Sequence, residues 1–172
     1  MPKNLLLVLS SLIAFGAYSQ NLTVDNLLKL RKSEIGYVEE FLTSKGWSFT
    51  RAEEPTDDNM GTATFAYNKN NYNDNAECFL TFLYSHSIER KRVGIQIINS
   101  QVYNSYLSEI KRLGCKLIDS KVEDNAIIKV YRGQTTTFKI TTSTLKNEFE
   151  GTNTFYYILI CDNIDYAFNF AN

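Results

Sequence analysis

The chain has 172 residues, with 18 Lys and Arg against 19 Asp and Glu, a net charge of −1, and a single histidine. A balance this even excludes the basic footprint that nucleic-acid binding requires. One histidine and three cysteines at spacings of 37 and 46 residues match no zinc motif.

The first residues read as an export signal. Lys3 supplies a positive start, Leu5 to Phe15 is an apolar run broken only by Ser10 and Ser11, and Ala17 and Ser19 place small residues where a signal peptidase reads. The run is too short for a membrane span, which needs roughly 20 residues. Cleavage between Ser19 and Gln20 is expected. All 19 acidic residues then remain, Lys3 is lost from the 18 basic ones, and the net charge becomes −2. No later run reaches membrane length. Pro55 is the only proline left, so loops are built from Asn, Asp and Gly.

Val24 to Arg31 carries Leu27, Leu28 and Leu30 and predicts a short leading helix. Ile35, Val38 and Leu42 then mark a helical stripe that ends at Gly46. A shift of 68 residues carries these positions onto Tyr103, Tyr106, Ile110 and Gly114. After each glycine the period changes to two, Trp47 and Phe49 in the first copy and Cys115 and Leu117 in the second. Each glycine is therefore expected to close a helix and release a strand. The alternation predicts strands near 47–51, 62–68, 77–84 and 92–99, and again near 115–122, 126–132, 136–142 and 154–161.

The expected fold is α+β. It is a tandem repeat of one helix plus a four-stranded antiparallel sheet, with the helices on one sheet face. Residues 1–19 form the signal peptide, 20–99 the first unit with its leading helix, and 100–172 the second unit. This order of elements resembles the architecture of β-lactamase inhibitory proteins. The stretch LLKLRKSEIGYVEEFLTSKGWSF resembles exported proteins of the Bacteroidota. Three cysteines cannot give each unit its own disulfide, as that inhibitor architecture has, and no binding residue is carried over from the resemblance. The cysteines are read instead as buried thiols acting as small hydrophobes.

No constellation for catalysis, cofactor or metal binding emerges. His86, in YSHSIERKR, reads as an exposed histidine at a hairpin tip. Arg90, Lys91 and Arg92 read as a solvated edge, with contact to an anionic partner as the alternative. The acidic EEPTDDN, Glu53 to Asn59, lacks the register of a calcium loop. The Asn-rich NKNNYNDN, Asn68 to Asn75, reads as a hairpin loop.

The functional expectation rests on two strands that are apolar on both faces, CFLTFLY (Cys78 to Tyr84) and FYYILIC (Phe155 to Cys161). Helices on one face leave the other uncovered, and contiguous exposed apolar residues mark binding sites. The alternative is that the leading helix, loops or the C-terminal YAFNF cover that face. Phe79, Leu83, Tyr156 and Ile158 are the candidate partner-binding residues. The expected function is an exported, periplasmic or secreted, non-enzymatic binding protein for a protein or cell-envelope partner. A hydrolase with an unrecognised site and an immunity- or inhibitor-type envelope protein are the alternatives.

Overall fold

A computed structural model describes residues 22–70, 76–85, 90–147 and 151–171. The expected signal peptide, the tip holding His86 and most of the Asn-rich loop lie outside the described residues. Among the described residues, four helices and eight strands follow in the order α1 (Val24–Arg31), α2 (Ile35–Ser44), β1 (Trp47–Glu53), β2 (Gly61–Tyr67), β3 (Cys78–Tyr84), β4 (Lys91–Ile97), α3 (Ser100–Arg112), β5 (Lys116–Glu123), β6 (Ala126–Arg132), β7 (Thr136–Asn147), β8 (Gly151–Asp162) and α4 (Asn163–Asn169).

Local chemistry sets the helix ends. Thr23 and Asn26 form a reciprocal capping box at the start of α1. Asn99 accepts two backbone N–H bonds at the start of α3. Gly46 and Gly114 have φ of +82° and +79°, the left-handed conformation that ends a helix without a Cβ clash. The polypeptide therefore turns from α2 into β1, and from α3 into β5, where the sequence places the two glycines.

All eight strands belong to one antiparallel sheet, in the order β1-β2-β3-β4-β8-β7-β6-β5. The two ends of the sheet are β1 and β5, and β4 meets β8 at its centre. Cross-strand register fixes what each face carries. One row runs Phe65, Leu80, Ile95, Ile158, Ile140; its neighbour runs Ala63, Phe82, Val93, Ile160, Phe138, Tyr131. These rows form the inner face. Val24, Leu27 and Leu30 of α1, Val38 and Leu42 of α2, and Tyr103, Tyr106 and Ile110 of α3 pack on it in one core. Fully burying each such aliphatic side chain contributes about 1.5–3 kcal/mol.

The expectation of helices on one sheet face fails at α4. Its Tyr166 packs with Ile128, Val130 and Cys161, which belong to the outer face. The apolar residues of 163–169 do not form one buried stripe, since Ile164 and Phe168 are exposed, and this concealed the helix. It is seven residues long, is capped by Asp162, and buries only Asp165 and Tyr166. The described helices are all too short or too polar to cross a membrane.

Candidate functional site on the outer sheet face

The outer face is divided in two. Its first row runs Ala66, Phe79, Gln96, Tyr157, Thr141, Ile128, and its second Thr64, Thr81, Gly94, Leu159, Lys139, Val130. Helix α4 covers the β6–β7–β8 part. Among the described residues no helix lies on the β2–β3–β4 part.

A buried carboxylate holds α4 in place. Arg92 donates from Nε and a terminal nitrogen to the two oxygens of Asp165, at 2.6 and 2.7 Å. Arg90 Nε lies 3.1 Å from the same group, and Asn169 Nδ2 donates to it at 2.9 Å. Asp165 is 1 % exposed, and the two guanidiniums that face it compensate the burial of its carboxylate. Phe170 lies across the Arg92 guanidinium at 4.8 Å and near the Lys139 ammonium at 5.0 Å. Lys91, the remaining member of the basic run, pairs with Glu34. The Arg90–Lys91–Arg92 run is therefore spent on internal ion pairs.

Beside this lock lies the uncovered region. Phe79, Thr81 and Leu83 of β3, Thr62 of β2 and Gln96 of β4 are half-buried, while Thr64 and Ala66 of β2 are buried. Thr64 and Thr81 bring their hydroxyls to 3.4 Å. At the centre is Gly94. A Cβ there would sit 2.0 Å from the hydroxyl oxygen of Tyr157, so the ring lies flat across the glycine. Tyr157 keeps 36 % of its surface exposed while its hydroxyl lies against Gly94 of the sheet. Burial raises the Tyr157 pKa above its ordinary value, and nearby Arg92 partly opposes the rise. The surface across β2–β4 is apolar and hydroxyl-bearing, and exposed Arg51 and Glu53 of β1 flank it beside Thr64 and Thr62.

Of the four candidate residues, Phe79 and Leu83 lie on this face. Tyr156 and Ile158 do not join them. Tyr156 pairs in register with Ile97, which pairs with Cys78, so it points to the helices. There it stacks on Tyr103 at 4.1 Å with the rings 8° from parallel. Ile158 is 1 % exposed in the core. The residue that belongs with Phe79 is Tyr157. A strand apolar on both faces gives no phase from sequence. The glycine inside β4 was the available signal, because it marks close approach by a neighbouring group.

Other clusters are occupied by the fold itself. A cavity of about 520 Å³ between α1 and α3 is lined by Leu22, Thr23, Tyr106 and Glu109 among others. Its polar groups hold the chain entering α1: Tyr106 donates to the Leu22 carbonyl at 2.8 Å, and Glu109 accepts the Val24 N–H at 3.0 Å. Cys78, Cys115 and Cys161 are all buried, as expected. The Cys78 thiol donates to the Gln96 carbonyl at 2.8 Å. Burial is the main cause that pushes Cys161 up to about 12, with Asp165 adding to it. Such thiols are poor nucleophiles. In the acidic 53–59 segment, Thr56 and Asn59 bond to each other and close a turn. Among the described residues no three His, Cys, Asp or Glu side chains gather in a metal-binding arrangement.

No family model matches the chain, and neither a curated protein nor a solved structure matches it.

Proposed function

We propose that this is an exported binding protein that holds a protein or cell-envelope partner on the open part of its outer sheet face. The observation that carries the reading is the division of that face. Helix α4 covers one part through a dedicated ion-pair lock, whereas Phe79, Thr81, Leu83, Gln96 and Tyr157 form a continuous uncovered surface beside it. Aromatic anchors flanked by hydroxyls and an amide combine apolar area with hydrogen-bonding capacity, the composition of a recognition core.

Export follows from the Lys3-to-Ser19 signal and places the protein in the periplasm or outside the cell. The fold is further read as a duplication. Each unit is a helix followed by a four-strand antiparallel meander, and the strand order 1-2-3-4-8-7-6-5 is what two such units give when joined by their last strands. Both α2 and α3 pack on the inner face, as two copies of one unit require.

The test is affinity capture from the host envelope with wild type, Phe79→Lys and Leu83→Lys. The reading expects one captured species that both substitutions release. Loss of a single anchor of about 2 kcal/mol weakens binding roughly thirtyfold. Equal retention by all three proteins refutes it.

A further inference from the structure

We propose that β5 is the interface for a second copy of this chain, pairing antiparallel with its own symmetry mate to continue the sheet across a two-fold axis. As a sheet edge, β5 presents unpaired backbone groups along its free side. Every one of its eight residues is exposed. The strand contains no proline, and its apolar side chains are not withdrawn: Leu117 is 51 % and Val122 77 % exposed, with Ile127 of β6 beside Val122 at 45 %. These three lie on the inner face beyond the reach of α3, whose buried side chains join the central core.

What selects a second copy as the occupant is charge complementarity of the strand with itself. The register with β6 breaks between Leu117 and Asp119, so Ile118 is an extra, bulged residue. Lys116, Asp119, Lys121 and Glu123 therefore lie on one face and Leu117, Ser120 and Val122 on the other. Turn the strand about a two-fold through Ser120, with Ile118 bulged on both copies. Asp119 then opposes Lys121 of the mate, Leu117 opposes Val122, and Lys116 opposes Glu123. All pairs meet on matching faces, and both charged pairs join opposite signs, each twice by symmetry. The other edge offers no such match. The charges of β1 are Arg51 and Glu53, and opposing them centres the pairing on Ala52 and runs it into Pro55.

Sedimentation equilibrium of the purified protein across a concentration series tests this. Wild type is expected to associate as a dimer. Lys116→Glu and Glu123→Lys each set like charges opposite one another twice and should weaken association roughly tenfold or more. Mixing the two variants restores opposite charges at both ends of the paired strands. The two substituted positions face each other with their signs exchanged, and the other end keeps its native Lys116–Glu123 pair. The mixture should therefore dimerise as wild type does. The double variant should do the same. Urea midpoints of both single variants, measured at a protein concentration low enough that wild type is monomeric and expected there to match it, separate a lost interface from a lost fold. A wild type that stays monomeric overturns the proposal. So does a dimer that neither variant weakens, or a mixture that fails to re-associate.

Discussion

Asp165→Asn removes one charge and leaves every atom position filled. In the native protein that charge is 1 % exposed and faces both Arg92 and Arg90. Removing one member of a buried ion pair costs about 3–5 kcal/mol, because the partner charge stays behind uncompensated. Arg92 is 12 % exposed and Arg90 26 % exposed in their side chains, so both regain some water. That discount puts the expected loss at the lower end, about 3 kcal/mol. With a urea dependence of about 1–3 kcal/mol per molar, the midpoint falls by roughly 1 M or more. The only tryptophan, Trp47, is 2 % exposed in the inner core and reports global unfolding by fluorescence. A second readout isolates α4. Cys161 is fully buried and lies in the cluster that Tyr166 covers, so its labelling by a thiol reagent should accelerate in Asp165→Asn while Cys78, under the opposite face, stays protected. An unchanged midpoint together with unchanged Cys161 labelling would refute the claim that this carboxylate locks α4 to the sheet.

Gly114→Val should cost about 1–3 kcal/mol, because φ of +79° strains a β-branched residue, whereas Lys116→Val on the exposed edge should cost little; urea midpoints compare them. Alkaline stability should fall with rising pH. Cys161 has its pKa raised from 9.0 to about 12 in the folded state, so its contribution is complete below about pH 9 and is lost progressively as pH rises to about 12. The stability–pH slope in that window should be shallower in Cys161→Ala than in wild type. Gly94→Ala should push the Tyr157 ring off the sheet, since the new methyl would lie 2.0 Å from its oxygen. In that variant ultraviolet titration should find the Tyr157 hydroxyl nearer its ordinary range, and an unmoved titration would contradict the described packing.

The elements that sequence pattern located are those whose chemistry is local. Gly46 and Gly114 sit at positive φ where the helical stripes end, and Val24–Arg31 is the leading helix that its leucines announce. Strands such as β2 and β4 alternate plainly enough to place within a residue or two. The faces of β8 were not legible, because FYYILIC is apolar at every position and its phase is set by pairing Ile97 with Tyr156, a contact between distant parts of the chain. Helix α4 was hidden for a related reason. Its stabilisation comes from Asp165 reaching Arg90 and Arg92, more than 70 residues earlier, and no local periodicity records a long-range ion pair. The outer face thus appeared in the sequence as a surplus of apolar residues. Its composition, Phe79 and Leu83 with Tyr157 in place of Tyr156 and Ile158, required the register.

The claim that the open outer face is the binding surface is tested most directly by capture from the native envelope with three substitutions compared side by side. Phe79→Lys and Leu83→Lys place a charge on the open face, and Ser108→Lys places one on the exposed side of α3, on the helix-covered side of the sheet. One species, identified by mass spectrometry, should be retained by wild type and Ser108→Lys and lost from both outer-face variants at unchanged urea midpoint. A partner retained by Phe79→Lys and Leu83→Lys but lost from Ser108→Lys would place recognition on the helices and contradict it.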